Sequence, residues 1–182
     1  MAAEELPGVY VVDSLNLSTG CAHLVIQAAR RIEQGLGGEE VARQVRDLIP
    51  KVQTSFILNT LEFMHAGGRC SGVAKFGANL LGLKPCIEMD NKTGTMSVGK
   101  KYRGEYKSVL VKYVKDKLTT VPDIDPYLIF ITHSGTAPEH VELVRKTIEE
   151  TMHFDQIVDT RASCTISCHC GPDTLGILFM TK

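Results

Sequence analysis

Two short stretches carry the side chains best suited to chemistry. "LEFMHAGGRCSG", Leu61 to Gly72, sets an arginine behind a pair of glycines, and "SCHCGPDTLG", Ser167 to Gly176, sets a histidine between two cysteines. In the first, Gly67 and Gly68 allow positive φ and a close backbone approach. Arg69 offers a rigid fork of donors suited to carboxylate or phosphate. Ser71 and its neighbours can present backbone N–H groups at the start of a following helix. Spacing alone favours a plainer account, a helix C-cap followed by a solvated arginine.

The second stretch admits four chemistries for His169: metal ligand, catalytic group, anion hook or packed core residue. Zinc would draw on Cys164, Cys168, His169 and Cys170, but structural zinc sites usually pair Cys-x₂₋₄-Cys knuckles across a longer stretch. A cysteine nucleophile would need its base within hydrogen-bond reach. In an extended segment Cys168 and Cys170 face one way and His169 the other. The two cysteines then pack as small apolar residues. His169 points away from them beside a Gly-Pro turn, free to meet a ligand.

A third stretch, "VVDSLNLSTG", ends a strand at Asp13 and Ser14 and can cap a helix with Ser18 or Thr19. Ligands often bind at such positions in α/β sheets, although turn and cap chemistry accounts for them equally well. His133 reads as a buried, satisfied strand end. His23, His65, His140 and His153 read as surface residues of helices. Phe56, Leu58, Leu61, Phe63, Phe76, Leu80, Leu81 and Leu83 form an apolar series that suits a core or a hydrocarbon cavity, which share one composition.

These side chains must be held by an ordinary globular chain. It has 182 residues, 43% hydrophobic and 23% charged, with a formal net charge of −1. The basic residues are spread along it, so no nucleic-acid footprint appears. No apolar run is long enough to span a membrane, and "MAAEELPG" does not read as a signal peptide. The six cysteines are too sparse for a small disulfide scaffold, and most of them are read as reduced thiols of a cytoplasmic protein.

Periodicity predicts the elements. "GVYVVDS" reads as a buried strand. "CAHLVIQAARRIEQG" reads as a helix stopped at Gly35, and "EEVARQVRDLIP" as a second helix ending at Pro50. "TSFIL" reads as a strand, and Asn59 can cap the short helix "TLEFMHAG". "VAKFGANLLGL" has helical spacing. "KPCIEMD" and "TMSVGKKY" flank the turn "NKTG" as a hairpin. "GEYKSVLVKYVKDKL" and "PEHVELVRKTIEETM" read as helices, the second opened by Pro138. "YLIFITHS", "FDQIVDTRASC" and "LGILFMTK" read as strands. The expected class is α/β (α+β), a mixed sheet with packed helices. Residues 1–52 form a strand-helix-helix unit and residues 53–182 a second domain. The strand at Val9–Asp13 has no upstream partner in this chain. It is expected to pair with a separate chain, a second copy or the chain's own later sheet.

The order of these motifs resembles the DegV family of bacterial fatty-acid-binding proteins, which includes the binding subunit of fatty acid kinase. The resemblance runs from Val9 to Met180. It rests on "F-x-L-x-T-L-E-F-M-x-x-G-G-R-x-S-G", "L-L-x-L-K-P", "K-Y-R-G" and "H-x-G-P-x-T-L-G-I" in combination. Family chains are longer at the N-terminus and carry there the Thr and Ser hydroxyls that hold the lipid head group, so this chain would correspond to their C-terminal part. Asp173 stands where the family commonly has glycine.

The resemblance implies a long-chain fatty acid as ligand, without another cofactor. Arg69, His169, Gly68 and Ser71 would lie at its head group, and Phe56, Leu58, Leu61, Phe76, Leu80 and Leu83 along its acyl chain. His169 would then be an anion hook. The chain would not be an enzyme: a separate fatty acid kinase catalytic subunit would phosphorylate the bound carboxylate. A separate N-terminal DegV-like chain or a homodimer would complete the fold. A zinc-binding structural or interaction module built on Cys164 to Cys170 stays open as the alternative.

Overall fold

Strands arise where apolar and β-branched residues run together between turns, and helices where they recur every three to four residues. The computed structural model describes residues 2–69 and 82–182. Two helices come first, α1 (Ser18–Glu33) and α2 (Gly38–Leu48). Then come β1 (Val52–Ile57), α3 (Glu62–Ala66), β2 (Leu83–Asp90), β3 (Thr95–Arg103) and α4 (Tyr106–Thr120). The chain ends with β4 (Leu128–Ser134), α5 (Pro138–Thr151), β5 (Gln156–Arg161), α6 (Cys164–Cys170) and β6 (Thr174–Met180).

The strands form one six-stranded mixed sheet in the order β3-β2-β1-β6-β4-β5. Only β4 and β5 run parallel, joined across α5; the other neighbours are antiparallel. The β2–β3 hairpin turns as "NKTG" predicts. Asp90 accepts the Lys92 N–H on its side chain at 2.8 Å and the Gly94 N–H on its carbonyl at 2.8 Å.

Side chains alternate across a strand, so each sheet face receives its own set. One face packs Ile57, Ile129, Ile131, Leu175, Ile177 and Phe179 against α4 and α5. On the other, Leu24 of α1 and Val41 and Val45 of α2 cover Val52 and Met180. Ala22 and Ile26 lie against Leu128, Phe130 and Leu178 on that side.

Residues Val9–Asp13 are not a strand. Val9, Tyr10 and Val11 are 48%, 46% and 65% exposed. Strand propensity is met there, but a strand also needs a ladder partner. The segment runs beside α2 instead: Arg46 Nη2 donates to the Val11 carbonyl at 2.9 Å, and Val12 packs on the α1–α2 core. Asn59 does not cap α3. Thr60 Oγ1 accepts the Glu62 N–H at 3.3 Å, while Lys84 Nζ donates to the Asn59 carbonyl at 3.0 Å and to its side-chain oxygen.

His23 is not a surface residue but 3% exposed, edge-on to Phe130, with Nε2 donating to the Leu178 carbonyl at 3.0 Å. Burial pushes its pKa below the ordinary 6.5, against the opposing pull of Leu178 and Asp125. The folded state therefore resists protonation that the unfolded state accepts. The contribution is intact above pH 6.5 and is lost as the pH falls toward the lowered value. His23→Gln keeps a donor without the titration. Its denaturation midpoint is expected to fall less steeply between pH 6.5 and 5 than that of the parent chain; parallel pH profiles would contradict this.

Candidate functional site

The two glycine-bearing stretches meet in space. Helix α3 ends in a Schellman cap: the Arg69 N–H donates to the Met64 carbonyl at 2.9 Å and the Gly68 N–H to that of His65 at 3.1 Å. Gly68 supplies the positive φ this cap needs, +67°. The plain account of the GGR segment is therefore met in full. The same cap throws the Arg69 side chain forward, where Nη1 donates to the Gly67 carbonyl at 2.7 Å.

The stretch around His169 is the helix α6, not an extended segment. Successive helical residues are turned by roughly 100°, so His169 and Cys170 reach the interior while Cys164 and Cys168 are exposed. Cys170 packs as expected, and Cys168 does not. Among the described residues no three histidine, cysteine or acidic side chains gather as they would to hold a metal.

Helices α3 and α6 interlock through absent side chains. A β-carbon on Gly67 would overlap His169 Nδ1 and lie 3.1 Å from its Cε1. A β-carbon on Gly171 would overlap the Phe63 ring. His169 Nδ1 is buried with no hydrogen-bond partner. Gly67 has an ordinary negative φ, −79°, so Gly67→Ala fits its own backbone. The substitution is expected to displace the His169 ring, shifting its imidazole NMR resonances. Unmoved resonances would show that the two groups are not in contact.

Arg69 and His169 line one cavity of about 270 Å³ on the sheet face away from α4 and α5. That is near the lower end of ligand pockets, roughly 300–1,000 Å³. Its floor is Thr54 and Phe56 of β1, Thr132 and Ser134 of β4, and Gly176 and Leu178 of β6. The walls are Leu17 and Ser18 at the start of α1, Met64 of α3, Met96 of β3, and Thr165, Ile166, His169 and Cys170 of α6.

Most hydroxyls of the floor are already engaged. Thr54 donates to Asn16 Oδ1 at 2.8 Å, and Thr132 sits between Thr19 at 2.6 Å and Thr160 at 3.0 Å. His133 also reaches the cavity, but its Nδ1 accepts the Thr136 N–H at 3.2 Å and its Nε2 faces Asp159 Oδ1 at 3.3 Å. Burial pushes the Cys170 thiol upward, away from thiolate character. What remains is an apolar hollow with a guanidinium and an imidazole at its rim. Such a site suits an amphiphile with one anionic end.

Of the apolar residues expected to line the cavity, Phe56 does so. Leu58 and Leu61 belong to the adjoining cluster around Met64, Ile87 and Cys170, and Leu83 of β2 pairs with Arg103 of β3. Ser71, Phe76 and Leu80 lie outside the described residues. Sequence reasoning passed over Thr54, Thr132 and Ser134. Polar residues at alternate positions of otherwise apolar strands were the available signal. Asp173 has φ +55°, the backbone region that favours glycine.

A family model described as "Uncharacterised protein, DegV family" matches residues 1–182. A DegV domain-containing protein of Clostridium acetobutylicum is 30% identical over 98% of this chain and 61% of its own. One from Caldanaerobacter subterraneus is 26% identical over 96% of this chain and 61% of its own. The chain thus spans about three fifths of the length of these relatives. Among solved structures, one described as fatty acid binding of a DegV family protein from Thermus thermophilus superposes with a TM-score of 0.86 at 26% identity, over 100% of this chain and 64% of that one. The B3 protein of Streptococcus pneumoniae fatty acid kinase, loaded with linoleic acid, shares the fold at 22% identity and a TM-score of 0.79, over 95% of this chain and 60% of that one.

Proposed function

The chain belongs to the DegV family, and on that premise we propose that it binds a long-chain fatty acid and presents the carboxylate to a separate kinase. The observation that carries this reading is the apolar cavity with Arg69 and His169 at its rim. The acyl chain lies over Phe56, Met64, Met96 and Ile166. The carboxylate meets the Arg69 guanidinium and His169 Nε2, the ring nitrogen left over once Nδ1 is turned to Gly67. Burying methylenes contributes about 0.8 kcal/mol each, so few polar contacts are needed. The role is that of a carrier. The partner is a fatty acid kinase catalytic subunit. Residues 53–182 form the lipid-binding domain, and residues 1–52 a preceding unit whose two helices cover one face of its sheet.

Organic extraction of natively purified protein, read by mass spectrometry, tests the ligand. A stoichiometric C14–C20 fatty acid is expected, about one per chain. Extracts without lipid, together with a fatty-acid titration that does not saturate, would overturn the reading. Incubation of the loaded protein with a fatty acid kinase catalytic subunit and ATP is expected to yield acyl phosphate.

A further inference from the structure

Helix α6 carries two faces with different chemistry. Its inner face supplies Ile166, His169 and Cys170 to the cavity, and its outer face carries two thiols. Of the five free cysteines among the described residues, Cys86 and Cys170 are buried and Cys21 is half-buried; Cys164 and Cys168 are the exposed ones. Burial pushes Cys86 up to about 12, which leaves its thiol inert. Cys164 and Cys168 stand four residues apart on one helix and therefore on one face.

We propose that Cys164 and Cys168 are a dithiol switch: their oxidation to a disulfide distorts α6 and withdraws His169 from the ligand cavity. The proposal rests on the fatty-acid reading for its ligand but on α6 geometry for its mechanism. Residues four apart in a helix hold their β-carbons about 5–6 Å apart, whereas a disulfide needs about 3.5–4.5 Å. The bridge can therefore close only by tightening the turn between Cys164 and Cys168. His169 is the next residue, and it is seated against Gly67 with no slack. A helix of seven residues makes only about two turns, and just His169 and Cys170 lie beyond the bridge to absorb the change.

The reaction is thiol–disulfide exchange with a small disulfide such as oxidised glutathione. One cysteine thiolate attacks the oxidant, expelling one thiol and leaving a mixed disulfide. The second cysteine then attacks the mixed disulfide, forming the Cys164–Cys168 bond and releasing the second thiol. Two electrons pass to the oxidant. Coupling is reciprocal: if oxidation weakens ligand binding tenfold, the ligand makes the disulfide tenfold harder to form, a shift of 29.6 mV for this two-electron couple.

The test equilibrates the whole chain in glutathione redox buffers, with and without oleate. Peptide mapping by mass spectrometry, the His169 imidazole NMR signals and oleate affinity are then measured. A Cys164–Cys168 bridge is expected, with shifted His169 signals and oleate affinity reduced tenfold or more. Cys164→Ser and Cys168→Ser should each abolish all three effects while binding oleate as the reduced parent does. A bridge that leaves the His169 signals unmoved, bridges only to other cysteines, or no bridge at all would overturn the proposal. Should the reduced chain not bind oleate, the fatty-acid reading fails by itself. The bridge and the His169 signals still decide whether α6 is a switch.

Discussion

Replacing Tyr113 by phenylalanine is expected to lower stability by about 2–5 kcal/mol, a large share of what holds a domain of this size together. Tyr113 projects from α4 into the centre of the sheet and is fully buried. Its hydroxyl donates to the Ser55 carbonyl at 2.7 Å and accepts the Ile177 N–H at 3.0 Å, with Ser55 Oγ at 2.9 Å. Ser55 and Ile177 face each other across the β1–β6 ladder, so one phenol oxygen links two central strands to the helix above them. Phenylalanine would fill nearly the same volume but remove every hydrogen bond of the phenol oxygen, and each buried group left short of a partner costs roughly 1–3 kcal/mol. Urea denaturation with an unchanged m-value should report the loss directly. A loss below about 0.5 kcal/mol would mean that the strands bond each other when the hydroxyl is removed.

Replacing Arg69 by alanine should do the opposite: leave stability nearly unchanged and weaken fatty-acid binding. The arginine is exposed, and the cap that positions it is made by backbone groups that alanine retains. Exposed substitutions of this kind usually stay within about 0.5 kcal/mol of the parent. Loss of a charge-assisted contact to the carboxylate costs about 1.5–3 kcal/mol, or roughly 10–150-fold in Kd. A thermal melt beside a ligand titration separates the two effects, and Arg69→Lys should recover part of the affinity by restoring the charge without the fork. A marked fall in Tm with unchanged affinity would make Arg69 a structural residue.

The local elements were legible because their causes lie within a few residues. Pro138 opens α5, Gly35 follows α1, and the Asp90–Gly94 turn closes the hairpin. Each depends on φ preferences or on hydrogen bonds spanning no more than five positions. Misreadings arose where the deciding partner is distant. Val9–Asp13 has strand propensity without a ladder partner. "CTISCHC" has weak helix formers throughout and is helical because Ile166, His169 and Cys170 are held against α3 and the sheet. His23 looks like any surface histidine until Phe130 and the Leu178 carbonyl close over it.

The sequence by itself determined the mixed α/β class, the order of most elements and the two motifs that meet at the cavity. Only the tertiary structure decided that they meet. Arg69 and His169 reach one hollow because β1 and β6 are neighbours in the sheet, which brings the helices that follow β1 and precede β6 into contact. The hollow itself belongs to no segment. Its floor combines alternate residues of three strands, and its emptiness depends on the spacing between helices above them. Helix and turn preferences act over a few positions of chain, whereas strand pairing and helix packing act across space.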